Sequence, residues 1–132
     1  MENDREVASS FPILRDAASE IADPLVRNLG TVGGNLCHGD PVNDLPAVMM
    51  ALDASVTLAS KGGTRKLKVE YLYSGPFKTE LKGGEILTEI EVPEQTGRCG
   101  SGYHKVRKGS GGFTIAGVAA KLTLTDGNAV SE

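Results

Sequence analysis

The sequence contains no tryptophan, and its aromatic residues make up only 5% of 132 positions. A core therefore has to come from Val, Leu, Ile, Ala and Met. No apolar run approaches the roughly 20 residues that would span a bilayer. The opening MENDREVASS is polar and acidic, unlike a secretory leader. Cys37 and Cys99 are the only cysteines. Two thiols in a chain without a leader do not build a disulfide framework, and they favour a reducing, cytoplasmic setting. Basic excess is also lacking. The net charge is −3, and the densest basic cluster, KVRK at 105–108, is short. That balance argues against nucleic acid or an anionic membrane as a partner.

What remains suits a soluble globular domain, with 39% hydrophobic and 23% charged residues. The length allows one domain, residues 1–132, and is too short for two ordinary ones. After a frayed lead-in over 1–10, the spacing of Ile13, Leu14, Ala17, Ala18 and Ile21 predicts a helix over 11–22, ended by Asp23-Pro24. Residues 25–36 lack a period and read as a loop. A second helix is expected over 41–52, with Asp40 as its N-cap, Pro41 at its first position and Asp44 in its first turn. From residue 54 the period becomes two. SVTLAS and TRKLKV form a hairpin around Lys61-Gly62-Gly63, and 70–77 reads as a turn or short helical piece. Strands follow at EILTEIEV, at YHKVRK after a Gly-rich link over 97–102, and at FTIAGVAAKLTLT, with Asp126-Gly127 as a turn. Helices first and antiparallel strands later make an α+β fold, with helices packed on an antiparallel sheet.

The stretch GTVGGNLCHGDPVND over 30–44 is the candidate site. Without Cβ atoms, Gly33 and Gly34 permit positive φ and let a ligand lie against the main chain. Successive N–H groups can then face an anion. Thr31 adds a hydroxyl, and Asn35 adds two donors and an acceptor. No Lys-Ser/Thr pair follows the glycines, so this is no P-loop. The GxGxxG spacing after a strand is absent as well. A pyrophosphate cradle and a tight turn between helices both remain open. Cys37-His38, with Cys99 and His104, has no zinc spacing and reads better as a buried thiol and a loop imidazole. Lys105, Arg107 and Lys108 read either as a solvated strand face or as a contact for an anion. Tyr71 and Tyr73 read as packing or as a stacking platform. No side chain reads as a catalytic acid, base or nucleophile.

VRNLGTVGGNLCHGDPVNDLPAVMMALDASV, followed by GGEILTEIEVP, GYHKVRK and FTIAGVAAKLTL, resembles the flavin-binding (medium) subunit of molybdenum hydroxylases. That family includes xanthine dehydrogenases and aerobic carbon monoxide dehydrogenases. The resemblance implies FAD bound between two α+β lobes, of which this chain would be the second. It implies cofactor contacts at Thr31, Val32, Gly33, Gly34, Asn35, Asp44, Leu87 and Lys105. It also implies electron transfer beside a molybdopterin large subunit and an iron-sulfur small subunit. The family's earlier glycine-rich lobe and its C-terminal helical domain have no counterpart here. The expectation is therefore a partial domain, inactive alone, that binds FAD weakly without the first lobe and self-associates in isolation. Where many relatives carry an acidic residue before FTIAGVAA, this chain has SerGlyGly at 110–112.

Overall fold

In the computed structural model, residues 3–21, 24–109, 114–127 and 129–130 are described. The fold is α+β. Among the described residues five short helices come first: α1 (Arg5–Ser10), α2 (Pro12–Glu20), α3 (Pro24–Leu29), α4 (Val32–His38) and α5 (Asp44–Ala51). Seven strands follow: β1 (Ser55–Ser60), β2 (Gly63–Lys68), β3 (Tyr73–Gly75), β4 (Lys78–Thr79), β5 (Ile86–Glu91), β6 (Arg98–Arg107) and β7 (Thr114–Leu124).

Local chemistry explains the boundaries, and several differ from expectation. The lead-in is helical because the Asp4 carboxylate accepts hydrogen bonds from the amides of Glu6 and Val7, at 2.9 and 3.0 Å. Pro12 occupies the first turn of α2, where a missing N–H costs nothing. The stretch 25–36 is no loop. Pro24 opens α3, and Thr31 caps α4. The helix expected from Pro41 instead begins at Asp44, with Asn43 as its flanking residue. Asp40 serves a turn rather than that helix, its carboxylate accepting from the Val42 amide at 3.0 Å. The link over 97–102 is strand rather than connector, since β6 already begins at Arg98. Ala22, Asp23 and Phe113 lie outside the described residues, as does Ser110-Gly111-Gly112.

The strands form three separate pieces rather than one sheet. β2, β1 and β5 make an antiparallel sheet in that order. Ser60 pairs with Gly63 across the Lys61-Gly62 turn, as the period-two pattern predicts. β3 and β4 make a small ribbon, preceded by a 3-10 turn at Val69–Tyr71. β6 and β7 pair with each other, with Tyr103 opposite Ala119 and Lys105 opposite Gly117, and Leu124 at the end of β7 also bridges Val130.

Helices join the pieces. α2 lies on β6 and α5 on β7, while α4 lies on β5. Ile13, Leu14 and Ala17 from α2 meet Leu45, Val48 and Met49 from α5, with Val56 and Leu58 supplying the inward face of β1. Tyr73 packs against this core, whereas Tyr71 is exposed. The outward face of the β6–β7 hairpin leaves Val106, Val118 and Leu122 exposed, and α3 leaves Leu25 and Leu29 exposed. No described helix is long and apolar enough to cross a membrane.

Candidate functional site

The glycine segment is the first turn of α4. The Thr31 hydroxyl accepts from the Gly34 amide at 3.0 Å, and the Thr31 carbonyl from the Asn35 amide at 2.9 Å. The amides of Val32 and Gly33 are left without a partner among the described residues. Neither Gly33 nor Gly34 has positive φ, so the expected left-handed backbone is corrected. Gly34 has a steric reason instead, whereas a Cβ on Gly33 would make only an ordinary contact. A Cβ on Gly34 would lie 2.9 Å from the Thr31 hydroxyl oxygen, inside the cap. A Cβ on Gly33 would meet the Leu87 side chain at 3.5 Å, which places Leu87 of β5 directly over the segment. At the far end Gly39 is left-handed (φ 65°) and caps α4, and its carbonyl accepts from the Phe77 amide at 2.7 Å.

A cavity of about 850 Å³ opens beside this turn, a size typical of ligand pockets. Its walls include Thr31, Val32, Gly34, Asn35, Arg27 and Asn43. The Asn35 backbone carbonyl accepts from the Asn43 side-chain amide at 2.9 Å. The Asn35 side-chain oxygen, by contrast, is buried with no hydrogen-bond partner. A buried acceptor left unmet costs about 1–3 kcal/mol, so it is a polar group suited to a ligand donor. The Arg27 guanidinium donates to the carbonyls of Ala18 and Ile21, pinning α3 to the end of α2.

Asp44 and Lys105 come together, but on each other. The Lys105 ammonium donates to Asp44 Oδ2 at 2.9 Å, with side-chain exposures of 3% and 8%. Asp44 Oδ1 accepts from the Tyr103 hydroxyl at 2.5 Å and from the Thr114 hydroxyl at 3.1 Å. Lys105 is therefore not on a solvated face, and both carboxylate oxygens of Asp44 are engaged. Burial, and then the neighbouring Asp44, push the Tyr103 hydroxyl above its ordinary value of 10.0, so it keeps its proton. Arg107 pairs with Glu20 at 3.4 Å.

The expected residues thus fall into two groups. Thr31, Val32, Gly34 and Asn35 wall the cavity, with Gly33 and Leu87 packed together behind them. Asp44 and Lys105 close a buried quartet with Tyr103 and Thr114. Sequence reading overlooked Tyr103, Thr114, Asn43 and Arg27. Tyr103 could have been found, because it shares a strand face with Lys105 at a spacing of two. Thr114 could not, because strand register is absent from sequence.

Other candidates resolve structurally. Cys37 is half-buried, and burial raises its thiol above the ordinary 9.0, away from the reactive range. Cys99 is a free, exposed thiol. His38 stands edge-on to Phe77 with ring centroids 5.5 Å apart. Among the described residues no cluster of His, Cys, Asp or Glu could hold a metal.

Comparison with known proteins matches this architecture to one family. Residues 1–95 fit the family described as the FAD binding domain in molybdopterin dehydrogenase. The carbon monoxide dehydrogenase medium chain of Afipia carboxidovorans is 37% identical over 125 residues, covering 95% of this chain and 43% of the relative. The glyceraldehyde dehydrogenase medium chain of Sulfolobus acidocaldarius is 38% identical over 126 residues, covering 96% and 44%. Among solved structures, carbon monoxide dehydrogenase from Hydrogenophaga pseudoflava, in a form lacking the Mo-pyranopterin moiety of the molybdenum cofactor, superimposes with a TM-score of 0.93 at 36% identity. That match covers 99% of this chain and 45% of the other. The chain spans less than half the length of these relatives. With the family model matching well over half of its residues, the chain belongs to the FAD-binding domains of molybdopterin dehydrogenases.

Proposed function

We propose that the chain is one lobe of a two-lobed FAD-binding domain and serves as an electron-transfer component of a molybdenum-containing dehydrogenase. The reading rests on the buried, partnerless Asn35 oxygen in the wall of the cavity beside α4. Around it, the Val32 amide, unpaired among the described residues, can meet the cofactor's phosphates. Thr31 holds the turn in place through the Gly34 amide, and Leu87 shields its back. We assign Asp44 and Lys105 to the same site from the resemblance alone, since they hold each other and are not among the walls of the cavity. When bound, the flavin would supply the capacity to accept electrons and pass them on; the protein supplies position and electrostatics. No side chain is assigned to proton transfer or nucleophilic attack.

The partners in this proposal are a complementary glycine-rich flavin lobe, a molybdopterin large subunit and an iron-sulfur small subunit. The relatives carry more than twice this chain's length in one medium chain, which favours a complementary lobe. A cytoplasmic location belongs to the same reading, supported by two free thiols. Co-expression with a complementary lobe should yield a yellow protein with flavin absorbance, and Asn35→Leu should remove the colour while leaving the circular dichroism unchanged. A colourless wild-type complex in the presence of added FAD would refute the reading.

A second reading has two observations in its favour. Asp44 and Lys105 satisfy each other, and apolar side chains line the exposed face of β6–β7. A flavin-free assembly module, or an inert piece of such a subunit, would show both features. The same absorbance measurement separates it from the first reading.

A further inference from the structure

The buried quartet contains a residue with no assigned part in cofactor binding. Tyr103 sits in β6 and reaches across the hairpin to α5, where its hydroxyl meets Asp44 Oδ1. Space for it comes from position 117. A Cβ there would lie 2.6 Å from the Tyr103 hydroxyl oxygen and 3.4 Å from its ring, closer than real side chains approach. Gly117 has no positive φ, so backbone conformation does not require glycine there. The room it leaves is what the hydroxyl uses.

Asp44 is also next in sequence to Asn43, whose side chain holds the Asn35 carbonyl. The hydroxyl thus meets the carboxylate that holds Lys105, one residue along α5 from the side chain that holds the Asn35 turn. Thr114 gives Asp44 Oδ1 a second donor, at a longer 3.1 Å. We propose that Tyr103 is a positioning residue of the cofactor site, orienting the Asp44 carboxylate and so aiming the Lys105 ammonium, and that Gly117 exists to admit its hydroxyl. The proposal rests on the FAD-binding reading above.

The test uses the chain assembled with its complementary lobe and compares wild type, Tyr103→Phe and Gly117→Ala. Three quantities are measured: the FAD dissociation constant, the visible spectrum and reduction potential of flavin at saturation, and amide exchange across 98–107 and 114–124. Tyr103→Phe and Gly117→Ala should each weaken FAD about tenfold, the effect of losing one hydrogen bond to a charged group. Both should also shift the spectrum and potential of the flavin that still binds. A latch with no influence on cofactor geometry would lower the melting temperature and leave the saturated flavin's spectrum and potential unchanged; that result overturns the proposal. If the wild-type assembly holds no FAD, the functional reading fails, and amide exchange alone decides about Tyr103. Faster exchange of the hairpin in both variants supports the hydroxyl as its anchor to Asp44, and unchanged exchange overturns it.

Discussion

Single residues decide whether the site can exist. Asp44 and Lys105 form a buried pair whose members are not independently removable. Asp44→Ala leaves an uncompensated ammonium inside the fold and should cost about 3–5 kcal/mol. The double variant Asp44→Leu with Lys105→Met removes both charges and should recover much of that loss, as urea unfolding would reveal. If the two losses simply add, the pair is not acting as one. Thr31→Ala is milder. It removes the acceptor for the Gly34 amide, and loss of an N-cap typically costs about 1 kcal/mol. Gly34→Val should reach the same end from the other side, because its Cβ would crowd the Thr31 hydroxyl at 2.9 Å. In a flavin-loaded assembly it should also release the cofactor, and retained flavin after gel filtration would count against that.

At the scale of elements, the sheet β2–β1–β5 has its own electrostatic tie. Arg65 in β2 makes two parallel bonds to Glu85 just before β5, at 2.7 and 2.8 Å, and also donates to the Glu80 carbonyl at 2.6 Å. The Arg65 hydrogen bond, followed by that from the Lys82 amide, holds the Glu85 carboxyl down at about 2 from an ordinary 4.5. A depressed carboxyl stabilises the fold fully above 4.5 and loses that contribution as the pH falls toward 2. Arg65→Gln should therefore flatten the acid limb of stability between pH 4.5 and 2, with little change in its slope above 5. Acid titrations followed by circular dichroism, wild type against variant, would show it.

The strands were legible because alternation survives in short segments: Val56 and Leu58 point inward from β1 with Thr57 between them. The glycine segment was misread as loop for an understandable reason. Glycine disfavours helix interiors by about 1 kcal/mol, and nothing in GTVGGN announces that the Thr31 hydroxyl supplies a cap. Asp40 misled in the opposite direction. An Asp before a Pro looks like a helix start, yet here it closes a turn, and the helix waits for Asp44. The residue types of the site were visible. Their grouping was not, because Tyr103 and Thr114 reach Asp44 across 59 and 70 positions of sequence.

On the scale of the whole molecule, the exposed apolar surface sets behaviour in solution. Val118 and Leu122 in β7 are 65% and 52% exposed on one hairpin face, and α3 adds Leu25 and Leu29 at 76% and 86%. Isolated apolar side chains are common on surfaces, but those sharing one face, as Val118 and Leu122 do on β7, favour association. The chain alone should sediment as a concentration-dependent oligomer, and Val118→Glu should shift it toward monomer. Concentration-independent monomeric sedimentation of the wild type would remove this surface from consideration.

The division between the sheet β2–β1–β5 and the hairpin β6–β7 also has a temporal consequence. Each piece contains its own local pairing, whereas the contact of Tyr103 with Asp44 must close a long stretch of intervening chain. Such closure is slow and belongs late in the route to the native state. Weakening it should quicken the escape from that state far more than it delays arrival. In stopped-flow experiments, Tyr103→Phe should therefore lift the unfolding arm of the chevron and leave the refolding arm almost where it was.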